Sequence, residues 1–293
     1  MIITHKNAAL TATLTTALSL LAAPAMAFSV GATNNTETLK NNLLGANTVG
    51  LSNFSVSITG NSAAFGTFTN DPFGLTSGVV LSTGRVTDIP GQNRKDNFTT
   101  EDSDLSTDFG AKGEQGDTTQ LNLSFFANST VQKLFFQYVF ASEQFPEFGG
   151  SNKYNDNFEL LLNGTNLAKL SDGKTVTINN LVPDPYNRSK DHPDYIDNPS
   201  WTGIAANIVK LDGFTKVLGF EGLLKQNQTN VLSVRIKDVG DGYLDSAVFI
   251  KGGSLETVQP EPVPEPMTVG GLMAGGAMLA AGRKLRNRRG GSN

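Results

Sequence analysis

The stretch Leu121-Asn122-Leu123-Ser124-Phe125 alternates apolar and polar side chains with a period of two residues. Successive side chains of a β-strand point to opposite faces, so this pattern predicts a strand with one buried and one wet face. Nearby, the stretch Leu134 to Phe140 is almost uniformly apolar. We interpret that stretch as a central strand that is covered on both faces.

Similar short runs recur along the chain and are separated by Gly, Asn, Asp and Pro, which favour turns. These runs are Phe54 to Ile58, Val79 to Ser82, Phe158 to Leu162, Val176 to Ile178, Val217 to Phe220, Val231 to Ile236 and Ala247 to Ile250. Their spacing predicts an all-β, mainly antiparallel fold, namely a single β-sandwich or jelly-roll-like domain. A short N-terminal helix precedes it, with Asn34 as its cap, Glu37 as the capping-box partner and Gly45 at its end.

The first 27 residues have the order of parts of a secretory signal peptide. A weakly basic start with His5 and Lys6 is followed by an apolar run from Ala8 to Ala23. The small residues Ala25 and Ala27 then form the pattern that signal peptidase cleaves. We therefore predict that residues 1–27 are removed and that the mature protein starts at Phe28.

The C-terminal end carries a second set of targeting features. A proline-rich spacer, residues 256–266, ends in Val263-Pro264-Glu265-Pro266, and residues 267–282 are uncharged. As a helix these 16 residues would span about 24 Å, which is less than a bilayer core of roughly 30 Å. The tail, residues 283–293, resists translocation through its cations. These cations are Arg283, Lys284, Arg286, Arg288 and Arg289.

This tail resembles the PEP-CTERM sorting signal of bacterial exported proteins, with Val263 to Pro266 as its motif. The resemblance implies transient membrane insertion of a transmembrane helix at 267–282 and cleavage by an exosortase-type enzyme. An ordinary permanent C-terminal anchor is the alternative. In either case we expect a protein that is exported across the inner membrane to the cell surface or the extracellular matrix.

The amino-acid composition excludes several classes of binding site and catalytic site. Removing Lys6 and the five tail cations from 23 lysines and arginines leaves 17 against 27 acids, a net charge of −10. The net negative charge of the predicted mature domain disfavours binding to nucleic acid and is compatible with binding to calcium or to neutral glycans. The absence of cysteine excludes disulfides, thiol catalysis and Cys-ligated zinc. With two histidines, His5 and His192, multi-histidine metal sites and most His-based catalytic triads are also excluded.

Three ordered strings carry a second resemblance. They are Phe136 to Phe148 followed by Tyr154 to Phe158 and Leu162 to Gly164; Tyr195 to Asn198 with Asp212 to Leu218; and Ile236 to Ile250. Together they resemble the choice-of-anchor L family of bacterial surface domains, from Leu39 to about Leu255, so we assign residues 28–255 to this domain. The resemblance implies export and a β-rich fold, and no established catalytic activity. The chain departs from the family at Gln144, where a second glutamate is usual.

Two acidic corners are candidate calcium sites. Asp238, Asp241 and Asp245 alternate with glycines at 240 and 242, and calcium prefers six to eight oxygens on a loop that bends. Glu143 and Asp156 flank the second corner, which would form either a second calcium site or one shared with the aspartates of the first corner. The alternative at the first corner is an ordinary hydrogen-bonded turn. At the second corner the alternatives are a loop staple, a solvated turn, or a catalytic pair formed by Glu143 and Glu147, as in glycosidases.

Two long loops run from Asp88 to Thr118 and from Pro183 to Trp201. The acids of the first loop, Asp117 among them, are typical either of a cation site or of a solvated run. On the second loop, Tyr186, Tyr195 and Trp201 are candidates for stacking on sugar rings, although Trp201 could equally pack the loop down.

From these patterns we expect a structural or adhesive protein of the cell surface, biofilm or exopolysaccharide matrix, and not an enzyme. Its expected partners are signal peptidase, an exosortase-type enzyme and exopolysaccharide or other surface proteins. A lectin-like glycan-binding module is the alternative, followed by a glycoside hydrolase that uses Glu143 and Glu147.

Overall fold

The computed structural model describes residues 27–95, 103–111 and 116–259, and in these residues the chain folds into two antiparallel sheets. The strands are β1 Ser29–Ala32, β2 Leu51–Thr59, β3 Phe65–Thr69, β4 Ser77–Ser82, β5 Thr118–Ala127, β6 Lys133–Ser142, β7 Asn157–Leu162, β8 Thr165–Asn166, β9 Tyr195–Asp197, β10 Gly213–Thr215, β11 Leu218–Leu223, β12 Gln228–Lys237 and β13 Ser246–Lys251. The helices are α1 Thr36–Leu43 and α2 Ile178–Leu181, and 3-10 turns lie at Ser62–Ala64, Val86–Asp88 and Arg188–Lys190.

The two sheets pack as a sandwich, which confirms the predicted fold class. The eight-stranded sheet has the order β1-β3-β4-β13-β6-β10-β9, with β11 also paired to β6. The five-stranded sheet has the order β2-β5-β12-β7-β8. An inner core fills the space between the sheets, and its large aromatic members include Phe125, Phe136, Tyr138, Phe140 and Phe158.

Strand β6 is buried on both faces, as its uniform apolarity predicts, and only its first residue is exposed. Phe136, Tyr138 and Phe140 enter the inner core, whereas Val139 and Ala141 face the opposite side of the sheet. Strand β5 alternates between buried and half-buried residues along its whole length, which confirms the period of two read from its sequence.

A second cluster, the outer core, covers the other face of the eight-stranded sheet. Its aromatic members are Phe28, Phe68, Phe73, Phe214 and Phe249. The ring of Phe249 is fully buried, and its centroid lies 4.8 Å from that of Phe73 and 5.4 Å from that of Phe68. Connections such as residues 205–211 supply the covering apolar side chains, including Val209. The sheet is therefore sealed on both sides.

Helix α1 begins one residue later than predicted. Asn35, and not Asn34, is the cap, because its side-chain oxygen accepts a hydrogen bond from the amide of Thr38 at 2.9 Å. Glu37 pairs with Lys40 across one helical turn and does not close a capping box. The helix still presents its leucines to the inner core, as expected. These buried leucines are Leu39 and Leu43.

The predicted strand Val176 to Ile178 is wrong. Thr177 caps helix α2 through a hydrogen bond from the amide of Asn180 to its hydroxyl oxygen at 3.1 Å, so the chain turns at this point. Apolar runs this short do not distinguish a strand from a buried helical turn. Strands β1, β3, β8, β9 and β10 were not predicted; each has at most five residues.

The C-terminal end of the domain is held by an exit clamp, residues 254–257. The backbones of Glu256 and Phe135 exchange two hydrogen bonds, at 2.9 and 3.1 Å. Leu255 donates to the carbonyl of Leu43 and accepts from the amide of Gly45, both at 3.2 Å. The chain thus leaves the domain between β6 and the end of helix α1.

The predicted processing segments lie outside the described residues. This applies to residues 1–26 with Ala25, to the motif Val263 to Pro266, to the predicted helix 267–282 and to the basic tail. Ala27 is described and exposed. Within the part of the chain that the structure describes, no helix combines the length and the apolar character that a membrane span requires.

Candidate functional site

Five carboxylates meet at one end of the sandwich, and each stands immediately outside the end of a strand. Asp117 precedes β5, Glu143 follows β6, Asp156 precedes β7, Asp238 follows β12 and Asp245 precedes β13. The antiparallel registers bring these strand ends together. We call this set of five residues the acidic end. All five are at most 5% exposed.

The register explains why residues that are distant in sequence converge. Lys237 at the end of β12 is paired with Thr118 on one side and with Asn157 on the other. In the opposite sheet, Ser246 is paired with Ser142. Each register places the adjoining residues at one end of its sheet, and the hydrogen bond between Ser246 and Asp156 joins these two ends.

Asp156 connects both sheets through hydrogen bonds. Its Oδ1 accepts from the amide of Val239 at 2.8 Å and from the side chain of Gln144 at 3.0 Å. Its Oδ2 accepts from the hydroxyl of Ser246 at 2.6 Å. Burial, together with the charge of Asp245, raises the pKa of Asp156 to about 8 despite these bonds. Asp156 is therefore an internal tie between the two layers.

Glu143 fastens the loop at residues 103–105. Its Oε1 accepts hydrogen bonds from the amides of Asp104 at 2.6 Å and Leu105 at 3.2 Å. Burial is the main cause that raises the pKa of Glu143, and the charges of Asp104 and Asp245 add to it. Because Glu143 is 3% exposed and its carboxylate bonds to backbone amides, it is not accessible to a sugar ring. Glu147, by contrast, is half-buried on the following turn.

Asp117 and Asp245 hold the neighbouring loop segments. Asp117 accepts from the amides of Phe109 at 2.6 Å and Ala111 at 3.1 Å. Asp245 Oδ1 accepts from the amide of Thr107 at 2.9 Å. Burial raises the pKa of Asp245 to about 7. Both carboxylates therefore accept hydrogen bonds from loop amides that have no backbone carbonyl as a partner in regular secondary structure.

Gly84 packs directly against Asp245. A Cβ atom at this position would lie 1.8 Å from Asp245 Oδ2 and 2.1 Å from its Cγ. We predict that Gly84→Ala forces this side chain to move and lowers the free energy of unfolding by about 1–3 kcal/mol, as measured by urea denaturation. Gly219→Ala is the matched control, since no atom lies within 4 Å of a Cβ there. Equal stability of the two variants would contradict the close packing.

Asp238 differs from the other four members of the acidic end. It is 1% exposed, and neither carboxylate oxygen accepts a hydrogen bond from any described residue. Burial is the main cause that raises the pKa of Asp238 to about 10, and the charges of Asp156, Asp241 and Asp245 raise it further. The backbone amide of Asp238 donates to the carbonyl of Asp117 at 3.1 Å.

Further buried acceptor atoms at this end also lack a donor among the described residues. They are Asp245 Oδ2, Glu143 Oε2 and Gln144 Oε1. Two hydrogen-bond acceptors cannot bond to each other. These oxygens therefore require either protons or a bound cation between them. No three Asp, Glu or His side chains of the described residues form a ready-made metal cage.

Four of the five predicted calcium ligands, namely Glu143, Asp156, Asp238 and Asp245, are buried members of the acidic end. Asp241 is half-buried in the connection from β12 to β13, where its charge helps to raise the pKa of Asp238 and its side chain accepts from the amide of Tyr243 at 3.2 Å. Sequence reasoning assigned Asp117 to a long acidic loop and did not place it beside the others. The signal that it missed is an acidic residue directly adjoining a strand end.

The three aromatic residues predicted to contact glycans differ in their surroundings. The ring of Tyr195 packs on Phe145, with centroids 4.8 Å apart, and lies beneath the guanidinium of Arg188. Trp201 is 59% exposed and Tyr186 is 86% exposed. The indole of Trp201 donates to the carbonyl of Arg94 at 3.1 Å, so this side chain also fastens its own loop.

A buried amide network holds that loop against the outer core. Asn198 donates to the carbonyl of Leu211 at 2.8 Å and accepts from the amide of Ala205 at 2.9 Å. Asn93 donates both to the carbonyl of Asn198 at 2.8 Å and to the carboxylate of Asp212 at 2.6 Å. Asn93 and Asn198 are fully buried, and no local sequence pattern predicts that their side chains form this network.

The sequence model of the choice-of-anchor L domain matches residues 29–256, which include both sheets and the whole acidic end. The chain belongs to the choice-of-anchor L family. Membership implies a secreted or surface-anchored protein, as the sequence resemblance predicted. No curated protein and no solved structure matches this choice-of-anchor L chain.

Proposed function

We propose that this choice-of-anchor L protein is a structural or adhesive module of the bacterial cell surface or extracellular matrix, which acts by binding and scaffolding and not by catalysis. The observation that carries the proposal is the extent of the family match, from β1 to the exit clamp. The buried carboxylates support it as well. Most of them hold backbone amides of the surrounding loops, which is a structural role.

The positions of the first and last packed residues of the domain support the proposed sorting route. Ala27, the last residue of the proposed signal peptide, is exposed, and the next residue, Phe28, packs into the outer core. At the other end the exit clamp closes at residue 257, before the proposed motif Val263 to Pro266. The proposed signal cleavage point thus directly precedes the first packed residue, and the proposed motif follows the last residue of the exit clamp.

Substitution of one glutamate tests this route. In the native host we expect Glu265→Gln to leave the C-terminal segment uncut, because the proposed motif loses its charge. Mass spectrometry of the surface fraction should show a mature wild type that starts at Phe28 and lacks the segment after the motif. The same analysis should show an uncut tail in the variant.

Glu261→Gln is the matched control, since it makes the same change four residues upstream, outside the motif. It should be processed like the wild type. Full-length wild-type protein in the cytosol would overturn the proposed export. An exported Glu265→Gln variant with a normally cut tail would overturn only the proposed sorting motif.

A further inference from the structure

We propose that the acidic end binds one calcium ion, and that the carboxylate of Asp238 is its central ligand. This inference does not depend on the export route. It begins from the two oxygens of Asp238, which are buried and have no donor among the described residues. A buried carboxylate of this kind is costly unless it is paired with a positive charge or protonated.

The neighbouring carboxylates increase the free-energy cost of burying an ionised Asp238. The charges of four other carboxylates, those of Asp117, Asp156, Asp241 and Asp245, disfavour the ionised form of Asp238. The nearest salt-bridged cation along the chain, Lys237, is turned to Glu159 at 3.4 Å on the surface of β12. The carboxylate of Asp238 thus has no hydrogen-bond donor among the described side chains, and we assign its neutralisation to a cation from solution.

The unpartnered oxygens suit a hard divalent cation. Asp238 offers two of them, and Asp245 Oδ2 and Gln144 Oε1 are further buried acceptors at the same end. Calcium accepts carboxylate, amide and carbonyl oxygens as well as water in an irregular shell, whereas magnesium demands a near-ideal octahedron. Among the described residues no three Asp, Glu or His side chains are placed to hold a metal ion, so amide and backbone oxygens and water would have to complete the shell.

The connection between β12 and β13 provides the freedom that such a shell needs. Gly240 and Gly242 have φ angles of +126° and +83°, which residues with a Cβ rarely adopt. They allow the chain to fold back within the six residues that separate Asp238 from Asp245, and so to return from one sheet to the other. Calcium at this position would join the two layers of the sandwich.

Thermal unfolding of the purified full chain tests the proposal. We expect millimolar calcium to raise the melting temperature by about 5–10 °C relative to chelator, since a ligand that binds only the native state stabilises it by mass action. Magnesium at the same concentration should give a clearly smaller shift. Equal shifts from both ions would overturn the assignment to calcium. Identical wild-type curves in calcium and chelator would overturn the site and favour protons as the partners of Asp238.

Asp238→Asn distinguishes this site from calcium bound elsewhere. We expect the variant to lose the calcium-dependent shift and, in chelator, to melt no lower than the wild type, because the amide removes a buried negative charge. Asp184→Asn is the matched control, at a surface carboxylate that pairs with Lys190 at 2.8 Å, and it should retain the full shift. A full shift in Asp238→Asn would overturn the assignment to Asp238. If that variant does not fold, calorimetric titration of the wild type with calcium decides, and the absence of saturable binding would reject the site.

Discussion

Phe249→Ala is expected to lower the free energy of unfolding by about 3–5 kcal/mol, because truncation of a buried aromatic ring leaves a cavity. The ring is fully buried on β13 and contacts Phe68 and Phe73. For a domain of this size the loss corresponds to a fall in melting temperature of roughly 10 °C. Circular dichroism during thermal unfolding measures it.

Phe126→Ala is the matched control for this prediction. Phe126 also lies in a strand, β5, but it is half-buried on the face that points away from the inner core. It should lose much less stability than Phe249→Ala. Similar losses in the two variants would show that the outer core does not contribute to stability as a second hydrophobic layer.

Asn198→Ala is expected to cost roughly 2–5 kcal/mol, because it leaves two buried backbone groups without partners. These groups are the amide of Ala205 and the carbonyl of Leu211, which are at most 1% exposed. Since both lie on the segment that covers the outer core, we expect that segment to become sensitive to proteolysis as well. Limited proteolysis followed by mass spectrometry would locate the new cuts.

Asn207→Ala is the control on the same segment. Its side chain is exposed and makes one long contact, with Gln92 at 3.4 Å. We expect its stability and its proteolytic pattern to match the wild type. An Asn198→Ala protein with wild-type stability would mean that the buried network does not hold the loop.

The two-layer architecture could be predicted because particular strands carry unambiguous patterns. The alternation in β5 and the uniform apolarity of β6 each follow from what their faces contact. The outer core could not be predicted in this way. It joins Phe73, Val209 and Phe249, which are far apart in sequence, and the segments that contribute its cover have no periodic pattern.

The acidic end was predictable in part. Glu143, Asp156, Asp238 and Asp245 were recognised as charged residues near turns, but the sequence left open whether their two corners form separate calcium sites or a shared one. Only the register of the paired strands shows that the two corners are one place. Register depends on which strands are neighbours in the sheet, and the local pattern does not contain that information.

The exit clamp determines how the domain responds to mechanical load. Tension on the chain beyond residue 257 meets the hydrogen bond from the amide of Thr257 to the carbonyl of Asn47 and then the paired hydrogen bonds between Glu256 and Phe135, and Phe135 lies on β6 of the larger sheet. The same pull reaches helix α1 through Leu255 and Leu43. A tether attached at this end would therefore distribute force into the middle of the larger sheet, and would not peel away a strand at its margin.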